Sequence, residues 1–597
     1  MTQSKPAQSQ TSQPVVGISV AGVKVQTRRQ QAADQSVGEA NSPTDHHARS
    51  VHPDPLLNRL YLARGIRHAD ELETSMQALL DWQSLKGIDQ AVELLLAARQ
   101  QQQRVMIVGD YDADGATSTA LAMLGLSAMG LNVQYQLPNR FEYGYGLSPA
   151  IVELVLQQQP DLILTVDNGI SSFDGIALAK QHGVKVLVTD HHLPADTLPN
   201  ADAIVNPNQP GCAFASKAAC GCTVMFYVLI ALRAALREQG EQALPNLAQW
   251  LDLVALATIA DVVPLDKNNR MLVSNGLQRI RQGRMRPGMK ALFEVSGRDW
   301  QFASSEDFGF SLGPRLNAAG RLGDMSVGVQ LLLTEQPAHA HQLATDLQNL
   351  NSERRQIEAS MLHEVERIMG DLTENTAAYS QVVFGDSWHE GVIGILASRI
   401  KDRIYRPVVA FARDDNGELK GSARSIKGIH LRDCLDWLSK QQPELILKFG
   451  GHAMAAGLTI READLAAFTQ GFEQAVQQLA EAEALTQQLW VDGELGAQEL
   501  NLANALTLEQ AGPWGQSFPA PSFYGEFAVS DSRVLAGKHL KLTLVNGQNS
   551  LAAIAFNVPQ EHLAQTVNQV RGVYQLSCNR FRGATTLQLV FSNIEID

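Results

Sequence analysis

Val105-Met106-Ile107-Val108-Gly109-Asp110-Tyr111-Asp112-Ala113-Asp114-Gly115 is the stretch from which the rest of the chain can be read. Four apolar residues of strand-forming type run into a glycine and then into three carboxylates at alternating positions. A buried strand that ends in a dense group of negative oxygens calls for a hard divalent cation. The same residues match the opening of an EF-hand calcium loop. That loop requires a bidentate Glu at its twelfth position, where this chain has Leu121, and a helix before it, where this chain reads as a strand. The calcium loop is set aside, and a solvated acidic turn stays as the alternative until further ligands are found.

Further ligands follow in order. Ala116 to Met129 is small and apolar at helical spacing and ends at Gly130, so the strand is followed by a helix. Leu162 to Val166 is a second apolar strand, ending at Asp167-Asn168-Gly169 and followed by a helical stretch from Phe173 to Gln181. Val184 to Val188 is a third, ending at Thr189-Asp190-His191-His192, and Ala203-Ile204-Val205 ends at Asn206-Pro207. Strands separated by helical patterns imply right-handed crossovers and a parallel sheet covered on both faces. Ligands of such sheets bind outside the carboxyl ends of the strands, where these polar groups would converge. Asp261 follows the apolar run Leu251 to Ala260. A lone Asp there is more often a cap, but beside the other ligands it reads as one more.

At 597 residues the chain is long enough for roughly three or four domains. No apolar run approaches the ~20 residues of a membrane span and the first residues are rich in Gln and Ser, so a cytoplasmic protein is expected. Residues 1–50 are expected to be a disordered tail, since they hold few apolar groups. Five cysteines in a chain of this length fit a reducing compartment. Cys212, Cys220 and Cys222 lack C-x-x-C spacing and a fourth partner, so buried small hydrophobes are favoured over a zinc site. A net charge of −14 argues mildly against indiscriminate nucleic-acid binding but leaves a local basic groove open.

Downstream, Gly313-Pro314-Arg315-Leu316-Asn317-Ala318-Ala319-Gly320-Arg321 places two arginines at a small-residue turn. Leu343, Leu347, Leu350, Ile357, Met361, Val365 and Ile368 keep helical spacing without Gly or Pro, predicting a long connecting helix within 336–372. At ~1.5 Å per residue the stretch would extend roughly 40 Å and hold a second domain away from the first, leaving a groove; an ordinary helix packed within one domain is the alternative. A second α/β unit follows: strand Gln381 to Gly385, turn Trp388-His389-Glu390-Gly391, helix Val392 to Ile400, strand Val408 to Phe411, then Gly421-Ser422-Ala423-Arg424-Ser425 and Phe449-Gly450-Gly451-His452. Glycines let backbone amides approach a phosphate, and a nearby His or Arg adds charge-assisted donors. From Phe523 to Phe591, five alternating strands with Gly turns suggest a small antiparallel barrel. Lys538, Lys541, Arg571, Arg580 and Arg582 lie among Tyr524, Phe527, Tyr574 and Phe581, a mixture that suits binding of single strands by stacking and phosphate neutralisation; core aromatics beneath a solvated face are the alternative.

The motifs Gly109-Asp110-Tyr111-Asp112-Ala113-Asp114-Gly115, Val166-Asp167-Asn168-Gly169, Asp190-His191-His192 and Ala260-Asp261-Val262 resemble the four signatures of the DHH phosphoesterase superfamily, in the same order. Gly450-Gly451-His452 then looks like the phosphate-contacting loop of a DHHA1 domain. From about residue 52 onward, the order of parts resembles the RecJ family of single-strand-specific 5′→3′ DNA exonucleases. The resemblance implies an α/β protein with a DHH catalytic domain (51–335), a connecting long helix (336–372), a DHHA1 domain (373–484) and an OB-like barrel (485–597). It implies two Mg2+ or Mn2+ ions. Asp114, Asp167, His191 and Asp261 would hold one, Asp110, Asp112 and Asp167 the other, with His192 on the scissile phosphate or behind the ligands and Asp190 orienting it. Substrate phosphates would meet Arg315, Arg321, His389, Ser422, Arg424, Gly450, Gly451 and His452. A pocket for the 5′ end would form around Arg424 and Ser422, with Arg315 or Arg321 reaching in from the DHH side. The expected partner is single-stranded DNA with a free 5′ end, alongside a single-stranded-DNA-binding protein and a helicase, for a monomer acting in DNA repair and recombination. A barrel that only holds substrate would, when deleted, affect affinity far more than maximal rate. The rival readings are an oligonucleotide or cyclic-dinucleotide phosphodiesterase, which would not need the barrel, and a non-catalytic replication scaffold, which would have lost metal ligands.

Overall fold

A computed structural model describes residues 19–21, 23–28, 50–139, 143, 146–369, 378–414, 416–481, 483–564 and 566–596. Strands β1 (Ser19–Val20) and β2 (Val23–Thr27) form a hairpin inside the stretch expected to be a disordered tail, which corrects that expectation. Val20 and Val25 alternate with exposed or half-buried neighbours and are themselves buried, so a short two-residue period overrides the polar composition around it. The remainder of that tail lies outside the described residues.

A five-stranded sheet consists of β3 (Arg104–Val108), β4 (Asn132–Gln136), β5 (Leu162–Val166), β6 (Lys185–Thr189) and β7 (Ala203–Val205), all parallel, in the order β4-β3-β5-β6-β7. The chain leaves β3 for the edge strand β4 and returns on the other side of β3 as β5. The crossover sense therefore reverses between β3 and β5, which is where a doubly wound sheet opens a binding crevice. On one face Met106, Val108, Ile163, Val186 and Val188 pack with Ile151, Val152 and Ile176 of the helices Pro149–Leu156 and Phe173–Gln181. The helices Ala113–Ala128 and Gly221–Glu238 cover the other face. The first of these is buried on all sides from Ala113 to Ala122 and is accordingly built mostly from Ala, Gly, Ser, Thr and Leu.

Two compact units divide the chain: residues 1–314, 328–341 and 488–597 form the first, and residues 315–327 and 342–487 the second. The long helix runs Pro337–Met369, 33 residues. The second unit is built on β8 (Gln381–Gly385), β9 (Val408–Arg413), β10 (Glu418–Arg424), β11 (Lys448–Gly451) and β12 (Ala455–Arg461), ordered β11-β12-β10-β9-β8, with β8 parallel to β9 and the remaining pairs antiparallel. One of its cores is centred on Phe411, Phe468 and Phe472; another packs the helix Ile393–Ile404 on Met361 and Val365 of the long helix.

Within the first unit β13 (Gln488–Val491) pairs parallel to β2 and leads to the C-terminal strands β14 (Phe523–Leu535), β15 (His539–Asn546), β16 (Asn549–Ala555), β17 (Gln569–Phe581) and β18 (Ala584–Ile596). These close into a barrel in the order β14-β15-β16-β18-β17. The barrel is not wholly antiparallel as expected, because β16 and β18 run parallel. Phe527 and Tyr574 pack with Phe523 and Phe591 in its core, Tyr524 is buried on the opposite face against Val20, Val25 and Val491, Arg571 is paired with Glu595 and Arg580 with Glu509; Phe581 remains exposed. The expected mixture of aromatic and basic residues on one face therefore reduces to Lys538, Lys541, Arg582 and Phe581. Among the described residues no helix is long and apolar enough to cross a membrane.

Candidate metal centre and active site

The turn after β3 is folded back tightly. Asp112 caps the helix Ala113–Ala128 by accepting from the Gly115 amide at 3.0 Å. A Cβ on Gly115 would lie 2.5 Å from the Asp110 carbonyl oxygen, so only glycine allows the three carboxylates to share one turn. Asp114 enters the first turn of that helix, and the amides of Gly221 and Cys222 donate to its two oxygens at 2.6 and 2.9 Å. Those amides are the N-terminus of the 18-residue helix Gly221–Glu238, whose dipole favours a negative charge there. Asp167, after β5, sits in the left-handed region with φ 63°, and a Cβ on Gly221 would lie 2.5 Å from the Asp167 Cβ. The absence of a side chain at Gly221 is what lets Asp114 and Asp167 approach.

The loop after β6 supplies the imidazoles. His191 Nε2 lies 3.1 Å from Asp167, 3.5 Å from Asp261 and 3.8 Å from Asp114. His192 faces Asp190 through Nδ1 at 2.7 Å, and Asp190 also accepts from the amides of Ile170, His191 and His192. Candidate ligand atoms of Asp110, Asp112 and Asp167 lie within 4.8 Å of one another, as do those of Asp114, His191 and Asp261, and those of Asp167, His191 and His192. Asp167 thus belongs to two of these groups, and its contact with His191 at 3.1 Å brings it beside the third. Sequence reasoning missed Gly221 and Cys222, along with Asn206 and Asn208, whose side-chain amides donate to the carbonyls of His192 and His191 at 2.9 and 2.6 Å and hold the loop in place. The signal was a Gly-Cys pair opening an apolar helix and an Asn-x-Asn turn after β7.

Burial first, and then the charge of Asp114, pushes Asp112, Asp167 and Asp261 above the ordinary carboxylate range. Burial would also raise Asp190, but its bond to His192 brings it below that range. Burial and then the charge of His192 lower His191. Burial opposes the charge on His192, yet the bond to Asp190 raises it to about 9. Asp167 Oδ1, Asp261 Oδ2 and His191 Nε2 are buried and make no hydrogen bond. Buried acceptors of this kind are costly when unmatched, and hard or borderline divalent cations match them. The residues therefore fit a metal centre. An expected result follows from the raised carboxylates: with no cation bound the folded chain holds more protons than the unfolded one, so these groups contribute less stability as pH rises. The gain in Tm on adding saturating Mn2+ should therefore increase between about pH 5 and pH 8, as cation binding displaces fewer protons. Thermal unfolding across that range checks it, and a pH-independent gain rules out this ligand set.

Within the second unit, a Cβ on Gly394 would lie 2.8 Å from Arg424 Nη2 and 3.0 Å from Ser422 Oγ, and Arg424 donates to Ser422 at 3.1 Å. The same short segment holds Arg321, which donates to the Gly391 carbonyl at 3.1 Å, and His389, whose Nδ1 accepts from the Gly391 amide at 3.1 Å. Arg315 is buried and donates to Gln348 of the long helix at 2.8 Å. Arg315 and Arg321 were expected on the DHH side but belong to the second unit, together with Arg424. Gly450 pairs with Gly457, which pairs with Ser422, so the three form one cross-strand row of small residues. Gly450 and Gly451 end a strand rather than forming a loop, and His452 begins the turn into β12.

A model of the DHH family N-terminal domain matches residues 104–258, one of the DHHA1 domain residues 374–478 and one of the RecJ OB domain residues 491–593. The single-stranded-DNA-specific exonuclease RecJ of Haemophilus influenzae is 50% identical over 557 residues, covering 92% of this chain and 97% of that protein. That of Escherichia coli K12 is 49% identical, over 90% of this chain and 96% of its own length. Among solved structures, RecJ from Thermus thermophilus in complex with Mn2+ superposes with a TM-score of 0.76 at 31% identity, covering 92% of this chain and 77% of that one. The same protein with Mg2+ gives 0.71 at 30% identity, with coverages of 92% and 76%.

Proposed function

Since this chain belongs to the RecJ family of single-stranded-DNA-specific exonucleases, we propose that it hydrolyses single-stranded DNA from a free 5′ end, in the 5′→3′ direction, releasing 5′-mononucleotides. The observation that supports this best is the convergence of Asp110, Asp112, Asp114, Asp167, His191 and Asp261, with three buried acceptor atoms lacking hydrogen bonds. Those residues would hold two Mg2+ or Mn2+ ions, with Asp167 shared between them. When bound, such a pair supplies a nucleophile at neutral pH and neutralises charge on both sides of a phosphodiester displacement. The chain contributes the rest. Asp190 fixes the His192 ring through Nδ1 and raises its proton affinity, which would let Nε2 donate to a phosphate oxygen. Asn206 and Asn208 hold the loop that carries both imidazoles.

Selection of the 5′ end is assigned to Arg321, His389, Ser422 and Arg424 around the first turn of the helix Ile393–Ile404. The glycine row at Gly450 and Gly457 offers a floor without side chains, and Arg315, Gly451 and His452 belong to the surrounding shell. An end differs from an internal phosphodiester by its extra charge, which a guanidinium beside a helix N-terminus reads. Arg424→Ala should erase the preference for 5′-phosphorylated over 5′-hydroxyl substrates while leaving the Mn2+-induced rise in Tm intact; undiminished discrimination would move the pocket elsewhere. Digestion of DNA labelled at either end, with and without Mn2+, tests the activity itself.

The barrel packed into the catalytic unit favours a polymeric substrate over a cyclic or dinucleotide one, and the full ligand set speaks against a non-catalytic scaffold. A cytoplasmic monomer acting in DNA repair and recombination, beside a single-stranded-DNA-binding protein and a helicase, is the setting that this activity suggests. Sedimentation of the purified chain tests the monomer.

A further inference from the structure

The members of the carboxylate–imidazole cluster differ in how far they open to solvent. The side chains of Asp114 and Asp167 are 1% and 3% exposed and form its floor, whereas those of Asp261 and His192 are 21% and 35% exposed and form its mouth. Each of these two is followed directly by a strongly exposed apolar residue: Val262 at 63% and Leu193 at 62%. One peptide step spans about 3.8 Å between Cα atoms, so both residues border the mouth of the site.

Val262 carries a second signal. It stands just past the end of the helix Leu251–Ala260, donates its amide to the Ile259 carbonyl at 3.2 Å, and has φ 59°. Glycine or asparagine normally takes that left-handed position, and a β-branched residue there is strained. Backbone geometry would be better served by glycine and solvation by a polar residue. Valine serves neither, so the side chain itself has a use. Leu193 follows His192 and is likewise an apolar group left in water beside charged neighbours.

We propose that Leu193 and Val262 form an apolar rim that contacts the base and sugar of the nucleotide whose phosphodiester bond lies over the metal centre. The proposal rests on the exonuclease reading given above and adds a specificity-determining contact to it. Aliphatic groups against the face of a base discriminate little between the four bases, which suits an enzyme that must accept every nucleotide in turn. They also orient the nucleoside relative to the carboxylates, so the contact acts on cleavage as well as on binding.

The test compares two oligodeoxythymidylates, one with an intact 5′-terminal nucleotide and one with a tetrahydrofuran abasic residue in its place, on the full-length parent and on Leu193→Ser/Val262→Asn. Asn tolerates the left-handed position, so the backbone at Asp261 is kept. The parent should lose about fivefold in kcat/KM on the abasic end, as expected for one partly buried contact. The double variant should act on intact DNA about as slowly as the parent acts on the abasic end and distinguish the two substrates by less than about twofold. The Mn2+-induced rise in Tm should be unchanged in the variant. A variant that discriminates as strongly as the parent, or a parent that does not discriminate, overturns the rim. With Ca2+ in place of Mn2+, fluorescence anisotropy of the same two oligonucleotides reads the contact without turnover. A parent that binds the intact end more tightly yet degrades neither substrate would sink the exonuclease reading and leave the rim standing, whereas equal affinities would sink the rim alone.

Discussion

Asp167→Asn abolishes hydrolysis of single-stranded DNA, by at least about a thousandfold in kcat, and at the same time makes the cation-free protein more stable than its parent. The first effect follows because Asp167 belongs to two of the three candidate ligand groups. The second follows because Asp167 is buried among Asp110, Asp112, Asp114 and Asp261, whose charges push it far above the usual carboxylate range after burial has done so. Removing one buried like charge relieves that repulsion, and Asn also tolerates the left-handed backbone at this position better than most residues. The two causes separate with pH. Relief of charge yields a gain in Tm that grows as pH rises, whereas relief of backbone strain is independent of pH. Asp114→Ala loses activity equally but destabilises the fold, since the amides of Gly221 and Cys222, at 2.6 and 2.9 Å, are left without their buried acceptor, at a cost of about 1–3 kcal/mol each. Thermal unfolding in chelator alongside turnover of end-labelled DNA checks both variants. Normal turnover in either removes the metal assignment, and a cation-free Asp167→Asn protein less stable than the parent removes the electrostatic argument.

What could be read from the sequence was whatever repeats with a short period or ends abruptly. Apolar strands that stop at Asp110, Asp167 and Asp190 announce both a parallel sheet and the edge on which its ligands gather, and the structure brings these residues together. β4 escaped because Asn132-Val133-Gln134-Tyr135-Gln136, although it alternates polar and apolar residues, is an edge strand with only two apolar side chains, both half-buried, and so offers no apolar run. β2 escaped because the composition of a long polar stretch hid five residues that find their partner in β13, more than four hundred positions away. The amides that hold Asp114 escaped because a backbone donor has no residue type. On the barrel, basic and aromatic residues alternate along the strands, yet alternation sends neighbours to opposite faces, so Phe523 and Tyr574 go inward while Tyr524 goes outward, beneath Val20, Val25 and Val491. Arg580 stacks 3.9 Å from the ring centroid of Phe302 and spends its charge on Glu509, a use that sequence distance conceals.

Removal of residues 488–597 is expected to lower kcat as well as raise KM, contrary to what a barrel that merely holds substrate would do. The reason lies in how its approach segment is built into the catalytic unit. Arg64 and Asp492, each 1% exposed at the side chain, pair at 2.9 Å, and Asp492 also faces Arg28 and accepts from the Ser522 amide. Tyr61, Trp514 and Phe518 stack on one another, with Arg270 over Phe518. Most directly, the Gln516 carbonyl accepts from the Leu265 amide at 2.8 Å, and the Trp514 carbonyl accepts from the Ser305 hydroxyl at 2.6 Å. Leu265 lies four residues after Asp261, so truncation loosens the loop that positions a candidate metal ligand, and it strips Arg64 of Asp492, the Pro519 carbonyl and the Trp514 ring at once. The truncated chain should therefore show a reduced Tm and a reduced Mn2+-induced rise in Tm, together with weaker DNA binding. Lys538→Gln/Lys541→Gln separates the roles: both residues lie on the barrel, and among the described residues neither makes an ion pair. That variant should raise KM, keep kcat within about twofold and flatten the salt dependence of binding by about 1.4 in slope, the value for two phosphate contacts with a single strand. An unchanged salt slope would place the strand on another surface, and a truncated protein with normal Tm and kcat would show that the barrel and the metal centre are independent after all.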